Sequence, residues 1–571
     1  MKKLIAILLA CLMLAGCGTE EVPVVTEVQH QETQAPVEIE EILFESRFDG
    51  ETVIRLTDED LEVTGPNSMN VFRSKDIVYY EDREQYESGN PYGEGEAWER
   101  HSREEADRHT VVNITAPGTY RISGTLSAGQ IRVDLGDDAY EDPDAVVELI
   151  LDGADITCTV APAILFRNVY ECDGNWSTDT AKPDVDTASA GANLILVGEN
   201  NITGSHVAKI FKDKDGEKKL WKQDGAIYSY MSMNVFGPGA LNLTADNEGL
   251  DTELHLTING GDILIRADND GINTNEDGVS VTTINGGTLR ILAGLGEEGD
   301  GIDSNGYLVI NGGMVISSAK PVSDAGLDSD MGSFVHGGTV IALGSAMDWA
   351  ESESGQVTMN LQFNTRQQGV IRITDQEGNE IFRFDPTEDP ALAEAARGYQ
   401  GVILSCPGFR VGDSYHVYVD DVMMSYTGTD VMRGPGGMNF GGGQRPQGGQ
   451  RPEGEVPNMP EGQEPPEGFE GMGNFGGFGG QRPEGEMPSM PEGQEFPEGF
   501  EGMGNFGGFG GQWPEGEMPS MPEGQEFPED FEGMGGFGGF GNFGGGTTGE
   551  ASTVFYMQDR VNFFSGLSPA Q

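Results

Sequence analysis

Four short segments return acids at nearly constant spacing: Gly249-Leu250-Asp251-Thr252-Glu253, Gly271-Ile272-Asn273-Thr274-Asn275, Gly301-Ile302-Asp303-Ser304-Asn305 and Gly326-Leu327-Asp328-Ser329-Asp330. More acids stand just ahead of them: Asp246, Asp268, Asp270, Glu298, Asp300 and Asp324. If the backbone stacks these segments, the acids become a ladder of oxygen donors. Like charges one strand spacing apart repel by roughly 1 kcal/mol even in water, so such a ladder calls for a cation. Calcium binds oxygen at about 2.3–2.6 Å, and an ion between rungs about 4.8 Å apart reaches both. Magnesium fits less well, because it demands a tight octahedron and keeps its waters. The expected ligands are Asp251, Asp268, Asp270, Asn273, Asp300, Asp303, Asp324, Asp328 and Asp330, holding structural Ca2+ that is also able to bridge to an acidic ligand. The alternative is turn chemistry alone, since Asp-Gly and Asn-Gly are common turn formers.

The elements that would stack these acids are legible from a second series. Asn259-Gly260-Gly261, Asn285-Gly286-Gly287, Asn311-Gly312-Gly313 and His336-Gly337-Gly338 step by 26, 26 and 25 residues. Each double Gly precedes a β-rich run: Asp262–Ile265, Thr288–Ile291, Met314–Ser317 and Thr339–Ala342. Short β runs repeating with this period describe one turn of a solenoid. About 25 residues at strand rise cover roughly 80 Å, the perimeter of a three-sided coil. The Asn-Gly-Gly series carries no charge and is expected to supply turns with positive φ. An antiparallel sandwich is the alternative architecture.

Around the repeats, the chain reads as all-β. Strand-like runs begin near Phe48, and irregular insertions are expected at Glu81–Arg108, Asp173–Gly191 and Lys209–Lys222. The solenoid is assigned to residues 46–349. A small β cap follows at 350–433, with a hairpin signal at Val370–Phe384 and a strand at Tyr415–Val419. Residues 434–546 collapse to Gly, Pro, Glu, Met, Phe and Gln in copies 31 residues apart, a composition expected to be a disordered insertion. Residues 547–571 look β-like again and are expected to return to the cap as its last strands.

The N-terminus is Met1-Lys2-Lys3, an apolar run from Leu4 to Ala15, then Gly16-Cys17. A basic start with an apolar stretch too short to span a bilayer describes a secretory signal, here residues 1–16. Leu14-Ala15-Gly16-Cys17 resembles a bacterial lipobox, which makes Cys17 the expected lipidation site. Residues 17–45 read as a disordered tether. The resulting expectation is an extracytoplasmic monomer, anchored to the bacterial membrane by lipid only and exposed at the surface. The formal net charge of −62 excludes nucleic acid as a natural partner, because phosphate backbones need Lys and Arg. Cys158, Cys172 and Cys406 remain after the anchor, with no CxxC pair to suggest zinc or redox chemistry.

The segments Ala116–Asp134, Val147–Thr157 and Gly225–Tyr228, with the Asp-Gly-Ile-Asp and Asn-Gly-Gly-Thr repeats, resemble the bacterial carbohydrate-binding domain family. The resemblance covers about Phe48 to Val419, and departs at the first two insertions. It implies a right-handed parallel β-helix with bound calcium, similar in shape to pectate lyases. It also implies a polysaccharide partner such as cellulose or polygalacturonate. Tyr228, Tyr230, Tyr307, Trp176 and Trp221 are candidates to stack on sugar rings. The function expected is calcium-stabilised glycan binding without catalysis. One alternative is a calcium-dependent polysaccharide lyase with Arg266 or Arg290 as base. The other is a structural adhesin that sticks through its 31-residue repeats.

Overall fold

In the computed structural model, the described residues are 44–80, 92–94, 100–211, 219–220, 222–321, 323–345, 349–395, 397–429 and 550–571. The signal segment, Cys17, nearly all of the tether, Trp221 and the 31-residue repeats lie outside them. The fold is all-β, with two short helices, Arg103–Ala106 and Pro390–Ala395, among the described residues.

Each 25-residue copy contributes one strand to each of three ladders. The first ladder runs through Met233–Phe236, Leu256–Ile258, Val281–Ile284, Tyr307–Ile310 and Gly332–Val335. The second runs through Ala240–Ala245, Asp262–Ala267, Thr288–Leu292, Met314–Ser318 and Thr339–Gly344. The third runs through Gly225–Ser229, Glu248–Thr252, Ile272–Thr274, Ile302–Ser304 and Asp328–Ser329. All of these pairings are parallel, so residues equivalent in the repeat become neighbours across the ladder.

Alternation along each strand sorts the side chains. In the third ladder Ile227, Leu250, Ile272 and Ile302 are fully buried in the core. One residue on, the chain presents Tyr228, Asp251, Asn273, Asp303 and Asp328 to the opposite side. The next position turns inward again as Thr252, Thr274, Ser304 and Ser329, and Thr274 and Ser304 share a hydrogen bond of 2.8 Å.

The Asn-Gly-Gly turns do two jobs. Gly261, Gly287, Gly313 and Gly338 take φ between +81° and +107°, the conformation expected of them. Their asparagines also form an amide ladder: Asn285 Nδ2 donates to Asn259 Oδ1 and Asn311 Nδ2 to Asn285 Oδ1, each at 2.8 Å.

Beyond the repeats, Tyr399–Ser405 pairs antiparallel with Thr339–Gly344 and covers that edge of the second ladder. Thr358–Gln367 lies between Tyr399–Ser405 and Val561–Pro569, and Phe555–Tyr556 pairs with Ser414–Val419. A separate apolar cluster including Phe363, Tyr399, Tyr415, Phe555 and Phe564 fills this region. Two stretches read as irregular insertions meet each other, because Lys209–Phe211 pairs with both Tyr92–Glu94 and Lys219–Leu220. The three cysteines of the described residues are free thiols, and Cys158 is fully buried.

Candidate metal centre and comparison with known proteins

The column Asp251, Asn273, Asp303, Asp328 is built by the register of the third ladder, each residue paired with the next. Asp251 is fully buried, whereas Asp303 and Asp328 are half-buried, so the column opens toward its later rungs. Gly225 makes room at the closed end: a Cβ there would meet the Asp251 Cβ at 2.5 Å.

A parallel column forms one turn earlier. The Asp270 carboxylate accepts the Asp300 amide at 2.6 Å, and the Asp300 carboxylate accepts the Ala325 amide. Asp324 accepts the Gly299 amide at 2.9 Å. Asp330 is exposed beside Asp328 and Asp277. Asp268 stands apart from these acids: it is exposed, and its charged neighbour is Asp246.

Three charged residues that sequence reasoning missed complete the closed end. Lys222 Nζ lies 2.9 Å from Asp224 Oδ2 and 4.0 Å from Glu248 Oε1. Asn273 Nδ2 donates to Glu248 Oε1 at 3.0 Å, and Asn275 Nδ2 donates to Asp251 Oδ1. The signal for Glu248 was present. It stands immediately before Gly249, as Asp270 and Asp300 stand before Gly271 and Gly301. Glu253 also joins this end, accepting the Tyr228 hydroxyl.

Burial and mutual repulsion push these carboxyls up. Burial is the first cause for Asp300, raised to about 8, with Asp328 and Asp303 adding repulsion. Burial followed by Asp328 and Glu248 raises Asp303 to about 7. Asp251 is raised well above the usual carboxylate range by burial and then Glu248, and Asp270 by burial and then Glu248 and Asp303. Without a cation, the column is held together at the expense of its own charge.

The donor set fits a hard divalent ion. Asp224 Oδ1, Glu248 Oε2, Asp251 Oδ2 and Asn273 Oδ1 are buried oxygens without a hydrogen-bond partner. An orphaned buried acceptor is costly, and four in one place is the arrangement that calcium, with six to eight oxygen ligands, would relieve. No three described Asp, Glu, His or Cys side chains already converge in metal-coordinating positions, so carboxylates must turn toward a shared ion.

The other residues singled out from sequence are placed differently. Arg266 and Arg290 lie on the second ladder, opposite Leu292 and Leu264. They are not on the ladder that carries the acid column. Arg290 is held by Asp389, at 2.8 Å, and by Asp262. Tyr228 and Tyr230 are buried against each other, ring centroids 5.2 Å apart, and present no face to a sugar. Tyr307 is half-buried against Phe334, and Trp176 is 42% exposed.

Residues 108–360 match the model of a family described as "Carbohydrate-binding domain-containing protein". That span contains all three ladders of the repeat region and both acid columns. A curated protein of Acetivibrio thermocellus with the same description is 31% identical over 157 residues, 27% of this chain and 45% of the relative. The chain thus spans less than half the length of that relative. A solved structure, a gadolinium derivative of the polysaccharide lyase-like protein from C. thermocellum, aligns at 21% identity with a TM-score of 0.30, covering 51% of this chain and 93% of that one.

Proposed function

We propose that this chain is a cell-surface lipoprotein that binds plant cell-wall-type polysaccharide, cellulose or polygalacturonate, through a calcium-stabilised right-handed parallel β-helix. In this reading the three ladders are the three sides of the coil, and Cys17 carries the lipid anchor. The observation that carries it is the in-register column Asp251, Asn273, Asp303, Asp328 with orphaned buried oxygens at its closed end. That column lies inside the segment that matches a carbohydrate-binding family.

Calcium would be held by carboxylates of this column and by Asp270 and Asp300 beside it, and would supply positive charge to an acidic sugar. The residues themselves position the oxygens, keep other cations of the protein off the open rungs and exclude water from the closed ones. The separation of Arg266 and Arg290 from the acid column favours binding over β-elimination, which needs the base beside the metal.

Retention on insoluble cellulose, and calorimetry with polygalacturonate, test the proposal in calcium and in chelator. Binding that weakens in chelator is expected, and it should persist when Gly434–Gly546 is deleted. Absence of binding to either polymer overturns it, and loss on deletion favours the adhesin reading.

A further inference from the structure

The closed end of the acid column holds an internal cation that satisfies only part of it. Lys222 makes one close contact, to Asp224 Oδ2, and stands 4.0 Å from Glu248. An ammonium has three donors, yet four oxygens nearby lack partners: Asp224 Oδ1, Glu248 Oε2, Asp251 Oδ2 and Asn273 Oδ1. Their residues are 9%, 4%, 0% and 5% exposed, so bulk water does not compensate them. The Lys222 side chain is 33% exposed and can withdraw into solvent.

Charge balance favours exchange. Three carboxylates and one ammonium leave two negative charges; three carboxylates and one divalent ion leave one. Oxygen-only donors select a hard cation rather than zinc or copper. A flexible four-carbon stem lets the ammonium leave without moving the backbone.

We propose that Asp224, Glu248, Asp251 and Asn273 form a guarded divalent-cation site in which Lys222 is the exchangeable counter-ion: calcium enters as the ammonium swings out. The proposal rests on the reading of the acid column as a calcium shelf, and adds a regulated position at its closed end. The rungs at Asp303 and Asp328 bind calcium without displacing a lysine.

Calorimetric titration of calcium into the full chain tests this by comparing the wild type with Lys222→Gln. The variant is expected to bind calcium at this end about tenfold more tightly, or to gain one ion per chain, and Glu248→Gln in that background should remove the gain. Unchanged stoichiometry and affinity, or a loss of binding, overturns the proposal. In the native chain, acylation of Lys222 by an amine reagent, read by mass spectrometry, should rise as calcium is added. Labelling that stays constant contradicts the exchange. If the wild type binds calcium and both readouts stay flat, the guarded site alone fails. If neither protein binds calcium, the shelf fails with it.

Discussion

Asp303 and Asp328 are direct partners in the third parallel ladder. Adjacent strands are about 4.8 Å apart, so two carboxylates are fixed near each other in a half-buried setting where they repel. The fold accepts that repulsion when something positive sits between them, and this expectation sets the behaviour of the metal-free and metal-loaded protein apart.

In chelator, stability should fall as pH rises. Asp300 and Asp303 move from 3.8 to about 8 and about 7 on folding, with burial as the leading cause. Between about 4 and about 8, the folded chain therefore keeps protons that the unfolded chain has lost. Stability conferred by those protons is complete below about 4 and is lost through the folded values. Glu253, raised to about 7 by burial, acts with the same sign. Melting curves in chelator should drop by several degrees from pH 5 to pH 8, and calcium should flatten the dependence. A metal-free melting temperature that rises over this range contradicts the electrostatics.

Asp303→Asn should have opposite effects in the two states. Removing one repelling charge is expected to stabilise the chelated protein by about 1 kcal/mol. The same change removes an anionic calcium ligand, so the stabilisation by calcium should shrink. Thermal melts of both proteins with and without calcium should cross. Destabilisation in both conditions would mean that Asp303 serves only the turn.

Gly225→Ala tests the seat of Asp251. The added Cβ meets the Asp251 Cβ at 2.5 Å, inside any van der Waals contact. The cost should be about 1–3 kcal/mol, the range for overpacking a tight interior. Denaturant unfolding checks the stability, and calcium affinity should fall with it.

Arg290→Ala should leave calcium binding unchanged. Its guanidinium is held by Asp262 and Asp389, away from the acid column. Truncation leaves two carboxylates facing each other and should cost about 1 kcal/mol of stability. With polygalacturonate and calcium, neither wild type nor variant should generate ultraviolet-absorbing unsaturated uronide. Sustained absorbance growth in wild type, lost in Arg290→Ala or Arg266→Ala, would make this protein a lyase.

The repeat made much of the ladder region legible. Equal spacing of Asp251, Asn273, Asp303 and Asp328 places them in one register, and the Gly-Gly turns adopt the positive φ their type permits. What lay outside one period was not legible. Lys222 belongs to a stretch with no repeat signature, and only the pairing of neighbouring strands carries it to Glu248. Asp268 looked equivalent to Asp270, yet alternation sends residues two apart along a turn to different surroundings. The meeting of Tyr92–Glu94 with Lys209–Phe211 is a long-range contact that no local pattern announces. Aromatic candidates misled for a related reason: residue type does not tell a buried Tyr228 from an exposed Trp176.

The most direct test is elemental analysis of the purified full chain, paired with its melting temperature before and after chelation. At least one calcium ion per chain is expected, with a melting temperature that falls by several degrees in chelator, returns on adding calcium, and does neither in Asp303→Asn/Asp328→Asn. A chain that carries no divalent metal and melts identically in calcium and in chelator would contradict the calcium shelf.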